Sequence, residues 1–274
     1  MHRYEEHCVL FGECYPQFRM KPETFEQLML KEDTSVTEHR ESGRLLGFDI
    51  CEKNAVRLLC VSPQERHRGI GTALLSKAEA GIRKAGYDEI LIGGVSSRFL
   101  IGADSSSWGF FEKAGYTEVG RCDELLMPLK DFSFAPDDFR GHRIAEYGFY
   151  NGSIDALRRA VAEVNEDWVQ YFNENDRVYC AKVGGGIVSF CLVSTDVKNY
   201  LSDAFGRVGM PGCVGTVPGF RNRGIAIEMI ARVTEILKNE GQDISFIFFT
   251  GVAEWYKKLG YEVFMTEIFA KKEL

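Results

Sequence analysis

Two short segments of the sequence combine glycine with arginine in an order that suits the binding of an anion. Glycine lets the backbone approach a ligand closely and adopt a φ that other residues avoid. The first turn of a following helix presents unpaired N–H groups and the positive end of the helix dipole. Each segment therefore predicts a cradle for a phosphate or pyrophosphate. The residues are Arg66, His67, Arg68, Gly69, Ile70 and Gly71 in the first segment, and Arg221, Asn222, Arg223, Gly224, Ile225 and Ala226 in the second.

Two other phosphate motifs do not account for these segments. The P-loop pattern G-x-x-x-x-G-K-[ST] is absent from the sequence. The dinucleotide fingerprint needs a third small residue where Leu74 stands, and no acidic ribose ligand follows at the expected distance. For either segment taken alone, the alternative is a plain strand-to-helix connection with solvated arginines. His67 is interpreted as a solvated turn residue rather than a catalytic one.

The two segments lie in blocks that repeat along the chain. Residues 63–71 (PQERHRGIG) match residues 218–226 (PGFRNRGIA), and residues 111–116 (FEKAGY) match residues 256–261 (YKKLGY). Two matching blocks in the same order indicate an internal duplication. The first copy carries extra residues between its blocks, which we place in the serine- and glycine-rich stretch 96–108.

Strand and helix patterns alternate within each copy, which predicts the α/β class. Apolar runs predict strands at 44–51, 56–61 and 90–92 in the first copy, and at 177–182, 186–193, 213–217 and 245–249 in the second. Apolar residues at helical spacing predict helices from Ile70 to about Gly86 and from Ile225 to about Gly241, with shorter ones at 22–30, 110–114, 153–164 (Ser153 as N-cap) and 253–259. Prolines and charges at 128–141 indicate a boundary, so the predicted domains are residues 1–130 and 141–274.

Charge and composition argue against several classes of protein. The formal net charge is −7 and neither half is basic, so a nucleic-acid partner is not expected. The eight cysteines form no C-x-x-C pair, so no metal site is expected. No apolar run approaches the roughly 20 residues of a membrane helix, and the N-terminus has no signal-peptide layout. We therefore predict a cytoplasmic protein with no membrane partner.

The repeated blocks resemble the GNAT superfamily of acyl-CoA N-acyltransferases. The resemblance rests on the block strand–(V/T)-x-P-x-x-R-x-R-G-I-(G/A)–helix, followed after a further strand by (F/W)-(F/Y)-x-K-x-G-Y, and it covers both copies. It implies two tandem GNAT-like domains, each with a mixed, mostly antiparallel sheet flanked by helices. It also implies that the fourth and fifth strands splay apart and that the pantetheine arm of acetyl-CoA lies in the gap.

The same resemblance assigns roles to particular residues. In the second copy the backbone of Val214, Gly215 and Thr216 would pair with pantetheine, and N–H groups of Arg221 to Ala226 would hold the pyrophosphate. The first-copy counterparts are Leu59, Cys60 and Val61, with Arg66 to Gly71. Tyr256 takes the place of the tyrosine that protonates the departing CoA thiolate in many relatives, whereas the first copy has Phe111, which cannot donate a proton.

Some family features are missing, and they leave the general base open. Neither strand before the motif carries an acidic residue, and Phe249-Thr250 stands where many relatives have an asparagine. The acceptor could attack as an already neutral amine, or a base could come from Glu166, Asp196 or Asp203.

Together these observations predict an acetyl-CoA-dependent N-acetyltransferase that acts on a small-molecule or peptide amine, with the second copy catalytic and no metal required. One alternative is a non-catalytic acyl-CoA-binding or regulatory protein that retains both folds. The other alternative is an enzyme with the copies reversed, in which the first copy is active without a phenolic acid.

Overall fold

The computed structural model describes residues 4–30, 33–93, 102–195 and 200–274. The chain forms two compact units of the α/β class. The first consists of Met1–Asp123, Tyr200–Ala204 and Met265–Leu274, and the second of Glu124–Asn199 and Phe205–Phe264. Within the described ranges, no helix is long and apolar enough to cross a bilayer.

The helices and strands follow one another in a similar order in the two copies. The first ten are α1 (Glu5–Cys14), α2 (Pro22–Met29), β1 (Thr34–Glu41), β2 (Arg44–Glu52), β3 (Ala55–Val61), α3 (Ile70–Lys84), β4 (Glu89–Ile92), β5 (Ala103–Asp104), α4 (Trp108–Lys113) and β6 (Thr117–Pro128). The rest are β7 (Glu146–Phe149), α5 (Ile154–Ala162), β8 (Val178–Val183), β9 (Gly186–Thr195), α6 (Ser202–Phe205), β10 (Val208–Thr216), α7 (Ile225–Asn239), β11 (Ile244–Thr250), α8 (Ala253–Tyr256) and β12 (Glu262–Glu273).

Most of the predicted elements are confirmed, with ends that move by a few residues. The long helices α3 and α7 bury the apolar faces read from the sequence, which are Ile70, Leu74, Leu75, Ala78 and Ile82 in α3, and Ile225, Met229, Ile230, Val233 and Leu237 in α7. One detail was wrong, and one was confirmed in position only. Residues 253–259 divide into α8 and a 3₁₀ turn, and Ser153 stands at the N-cap of α5 without a side-chain hydrogen bond. The stretch 94–101, which contains much of the predicted insertion loop, lies outside the described residues.

The sheet of the first unit begins as an antiparallel meander of β1, β2 and β3. Strand β4 then pairs parallel with β3, and β12 pairs antiparallel with β4 from Ala270↔Ile92 to Glu273↔Glu89. The apolar face of α3 packs in a core with Ile90, Phe111 and Ala270. The parallel step requires a crossover, and α3 supplies it, so the arginine–glycine segment before α3 must lie at the end of β3.

The second unit repeats this plan with β7, β8, β9 and β10 as antiparallel neighbours and β11 parallel to β10. Helix α7 is the crossover, and its buried face packs with Tyr179, Ile247 and Tyr261. A second cluster contains Leu157 of α5 with Phe172 and Phe190.

Strands β6 and β12 each contribute to both units, an arrangement that the sequence analysis did not anticipate. Leu125 and Met127 of β6 lie in the core of the second unit, whereas Ala270 of β12 lies in the core of the first. The predicted domains, 1–130 and 141–274, are continuous in sequence, whereas the first compact unit takes segments from both ends of the chain.

Ile268, which is 2% exposed on β12, tests the contribution of this late segment to the first unit. Replacing Ile268 with alanine should lower the free energy of unfolding by about 2–5 kcal/mol, because it removes buried methyl groups and leaves a cavity. Urea denaturation followed by circular dichroism measures the change. The control is Lys271→Ala on the same strand, which removes a half-exposed ion pair with Glu89 and should cost at most about 1 kcal/mol. Equal losses in the two variants would contradict the assignment of β12 to the first core.

Candidate functional site

The candidate site forms where β10 and β11 separate in the second unit. Their parallel ladder joins Val208 to Ile244 and Gly209 to Ser245, and among the described residues of the two strands it extends no further. On its other side β10 keeps its pairing with β9 as far as Thr216. The far half of β10 therefore presents backbone N–H and C=O groups toward a gap rather than toward a strand, and such groups need another partner.

A β-bulge and a glycine shape β10 at this gap. Gly212 pairs with Leu192 and Gly215 with Phe190, so two residues of β10 lie opposite one residue of β9. One of the two, Cys213, has a positive φ of 47°. A bulge of this kind redirects the backbone locally. At Gly215 a side chain is excluded, because a Cβ would lie 2.4 Å from the ring of Phe190.

The arginine–glycine segment turns the chain from β10 into α7. Gly224 is the N-cap of α7 with a left-handed φ of 80°, and no side chain caps the helix there. The N–H groups of the first helical turn therefore lack a side-chain cap, and groups of this kind suit an anion. Arg221 supports the turn, since its Nε donates to the carbonyl of Thr216 at 3.0 Å. The Arg223 guanidinium lies over the ring of Phe220, 5.2 Å from its centroid.

A cleft of about 370 Å³ brings the predicted residues of the second copy together. Nine of them line it: Val214, Gly215, Thr216, Arg221, Asn222, Gly224, Ile225, Ala226 and Tyr256. Arg223 is not among the lining residues. Five other lining residues were not predicted, because apolar side chains carry no chemical signature that separates a cleft from a core: Val164, Phe220, Ile227, Val252 and Trp255. Among the described lining residues only Arg221 carries a formal charge.

Tyr256 combines a buried ring with a hydroxyl that is free to bind a ligand. Its ring packs edge-on against Trp255 and Tyr261 and is 4% exposed. Its hydroxyl makes no hydrogen bond with the described residues, whereas the Tyr261 hydroxyl is held by Ser245 at 2.7 Å and Thr234 at 3.1 Å. Burial raises the pKa of the Tyr256 phenol well above its usual value, so the hydroxyl stays protonated. Tyr256 thus presents a proton donor to the cleft.

The matching segment of the first unit has the same backbone but different surroundings. Gly69 is the N-cap of α3 with a φ of 84°, and Arg66 Nε donates to the carbonyl of Val61 at 3.3 Å. The charge of Arg68, however, is paired with carboxylates of Glu41 and Glu65.

Other predicted residues of the first copy lie around this turn. His67 is exposed with a φ of 64°, as expected for a solvated turn residue. Cys60 and Ile70 are buried, Leu59 and Gly71 are partly buried, and Phe111 lies in the core. The Cys14 thiol of α1 donates to the carbonyl of Val61 at 3.4 Å, so this end of β3 is already occupied by groups of the same unit.

Comparison with protein families matches residues 142–264 and residues 3–124 to acetyltransferase (GNAT) domains. The chain belongs to the GNAT family. Its two copies are tandem GNAT domains, as the repeated blocks predicted, and the mixed sheet with a crossover helix is the GNAT fold.

Solved structures of other GNAT proteins share this fold. One is a GCN5-related glucosamine N-acetyltransferase region of a fungal multi-domain β-N-acetylglucosaminidase, with 19% identity, a TM-score of 0.76, and coverage of 98% of the present chain and 37% of that one. A GCN5-related N-acetyltransferase from Sphaerobacter thermophilus has 19% identity, a TM-score of 0.68, and coverage of 98% and 91%. A tandem GNAT protein from the clavulanic acid biosynthesis pathway has 15% identity, a TM-score of 0.62, and coverage of 98% and 94%. No curated protein matches the chain by sequence.

Two of the three candidate bases of this GNAT chain, Glu166 and Asp203, are not among the described residues that line the cleft. Glu166 is exposed on the 3₁₀ segment Glu166–Tyr171. Asp203 belongs to the first unit, where it accepts hydrogen bonds from the Lys21 N–H at 2.9 Å and the Thr24 hydroxyl at 2.6 Å. Asp196 lies outside the described residues.

Several carboxylates of the described residues are buried, among them Asp49 and Glu228, and nothing in the sequence separates them from solvated acids. Asp49 lies opposite Leu59 in the first GNAT sheet, accepts a hydrogen bond from the Cys51 thiol, and has its pKa raised to about 6 by burial. The folded state then holds a proton between about pH 4 and 6 that the unfolded state releases, so stability falls as the pH rises through this window.

Asp49→Asn should therefore be more stable than the unsubstituted chain at pH 7 by about 1–3 kcal/mol, and nearly equal to it at pH 4. Urea denaturation at both pH values measures the difference. The control is Asp88→Asn, which makes the same substitution at an exposed position and is measured at both pH values. If Asp49→Asn gains the same free energy of unfolding at pH 4 as at pH 7, ionisation of Asp49 is not the cause of the gain.

Alanine substitutions at two glycines test whether the turn of the second GNAT domain needs a left-handed φ. Gly224→Ala should lower the free energy of unfolding by about 1–2 kcal/mol, because φ must stay positive and the Cβ would lie 3.0 Å from Cγ of Arg140. Gly219→Ala in the preceding 3₁₀ turn, where a Cβ meets no atom within 4 Å, should change it by less than about 0.5 kcal/mol. Thermal denaturation of both variants compares the two positions, and a similar change in both would contradict the strain argument.

Proposed function

We propose that this protein is an acetyl-CoA-dependent N-acetyltransferase whose catalytic site is the cleft of the second unit. One observation carries the proposal: a single cleft is lined both by the anion-binding turn and by Tyr256. A long ligand with a phosphate end and a reactive end would need both features. GNAT membership supports the same chemistry in general terms.

The open edge of β10 suits the pantetheine arm of acetyl-CoA. Its amide groups would pair with the backbone of Val214, Gly215 and Thr216 in place of the strand that β11 would otherwise supply. The pyrophosphate would then lie against the N–H groups at the start of α7, where the dipole and the uncapped amides favour negative charge.

The reaction would proceed by direct attack of a neutral acceptor amine on the thioester carbonyl. The C–N bond forms, the C–S bond breaks, and the proton of the Tyr256 hydroxyl passes to the departing CoA thiolate. After the attack, the nitrogen of the former amine loses its proton to solvent or to a base near the acceptor. Tyr256 then regains a proton from solvent. Desolvation in the cleft would raise the pKa of the CoA thiol and that of the Tyr256 phenol alike, so the two groups would remain comparable as acids.

The first unit would serve as a structural partner or bind acyl-CoA without transferring the acyl group. Phe111 replaces the phenolic acid there, and its ring lies in the core with Tyr116. Arg68 is paired with Glu41 and Glu65, which leaves its turn less positive than the turn of the second unit.

Removal of one hydroxyl tests the assignment of Tyr256. Tyr256→Phe should lower kcat roughly 100-fold while the affinity for acetyl-CoA stays nearly constant, because only the proton donor is lost. Steady-state assays of thiol release with a panel of amines, together with calorimetry of acetyl-CoA binding, separate the two effects. An unchanged kcat would remove Tyr256 as the acid.

Tyr261→Phe is the matched control. It removes a hydroxyl that is hydrogen-bonded to Ser245 and Thr234 inside the core, so it should lower the free energy of unfolding by about 1 kcal/mol and leave kcat unchanged.

The same assays test the alternative of a non-catalytic binding protein. That alternative predicts acetyl-CoA binding without transfer to any amine.

A further inference from the structure

A short polar segment of the second unit, residues 140–143 and here called the strap, packs on the first turn of α7. Gly141 lies so close to the turn that a Cβ would stand 2.2 Å from the Tyr147 hydroxyl and 2.9 Å from the carbonyl oxygen of Gly224. The backbone N–H of His142 donates to Oε2 of Glu228 at 2.7 Å. The strap is therefore held against the helix by close backbone packing and by a charge-assisted hydrogen bond.

The anchor of the strap is the buried carboxylate of Glu228. Its side chain is fully shielded from solvent, and Arg232 donates to its Oε1 from two nitrogens at 2.7 and 3.1 Å. The Arg232 guanidinium also lies over the rings of Phe134, at 4.8 Å, and Tyr147, at 4.7 Å. A buried carboxylate with partners on both oxygens has little freedom to move, so the position of the strap is well defined.

This arrangement places Arg140 against Gly224 at the start of α7, although Arg140 is not among the described residues that line the cleft. Its Cγ and Nε lie 3.0 and 3.3 Å from the point where a Cβ of Gly224 would be. The side chain is exposed, and its guanidinium makes no ion pair or hydrogen bond with the residues that the structure describes. The arginines of the turn itself differ, because Arg221 is bonded to Thr216 and Arg223 lies over Phe220.

We propose that Arg140 binds the pyrophosphate of acetyl-CoA at the Gly224 turn. The assignment rests on the proposed function and adds to it a side chain from outside the repeated motif. A guanidinium presents five donors in a planar fork that matches phosphate oxygens, and it never loses its charge. The turn supplies backbone N–H groups on one side, and Arg140 would supply donors and positive charge on the other. The first unit lacks the same contact at Gly69, since a Cβ there would meet no described atom within 4 Å.

The test compares three ligands that differ in their phosphates. Calorimetry would measure the Kd of CoA, 3′-dephospho-CoA and pantetheine for the unsubstituted chain, for Arg140→Gln, and for Arg143→Gln. Arg143 is also an exposed strap arginine, so its variant carries the same change in charge. We expect Arg140→Gln to weaken CoA and 3′-dephospho-CoA alike by about tenfold, because both carry the pyrophosphate. Pantetheine, which lacks it, should bind all three proteins equally, and Arg143→Gln should bind CoA as the unsubstituted chain does.

Three results would overturn the assignment. Equal affinities of the unsubstituted chain and Arg140→Gln for CoA would show that Arg140 makes no contact with the ligand. A loss confined to CoA and absent for 3′-dephospho-CoA would move the contact to the 3′-phosphate. An equal loss in the Arg140 and Arg143 variants would reduce the effect to general charge. Failure of the unsubstituted chain to bind CoA would overturn the proposed function first, before any variant is compared.

Discussion

The separation of β10 from β11 is the constraint on which the second unit depends. Two parallel strands that diverge after Gly209 and Ser245 no longer pair with each other, so the backbone polar groups on their facing edges need other partners. The unit accommodates them by lining the gap with a cleft that a ligand can enter. The bulge near Cys213, the contact between Gly215 and Phe190, and the crossover helix α7 all keep β10 in place while its outer edge stays open.

The two copies show how far a shared backbone can differ in chemistry. Both turns have a left-handed glycine at the helix N-cap and an arginine that donates to the last carbonyl of the preceding strand. The differences lie in the side chains around these turns. The second unit has a phenol at Tyr256 where the first has the phenyl ring of Phe111. Carboxylates pair with Arg68 beside the first turn, whereas Arg140 lies against Gly224 in the second. Retention of the fold and retention of the chemistry are thus separate matters in a duplicated chain.

The sequence predicted what is encoded locally. The apolar faces of α3 and α7 and the glycine turns depend on residues within a few positions of one another, so the pattern is visible in the chain. The strap was not visible, because Gly141 and Glu228 are distant in sequence and a helical glutamate reads as a solvated residue. Strands β6 and β12 were missed for a related reason: their residues alternate weakly, and which sheet accepts them depends on the whole fold.

The membership of β12 has a consequence for the order in which the protein can fold during synthesis. Domains of a growing chain usually fold from the N-terminus onward, each as it leaves the ribosome. Here β4 finds its outer partner only in residues 270–273, so the sheet of the first unit stays incomplete until the second unit has been translated. Until then β4 presents an unpaired edge, and such an edge can pair with the wrong chain. The first unit can therefore complete its sheet only after the second unit has been synthesised.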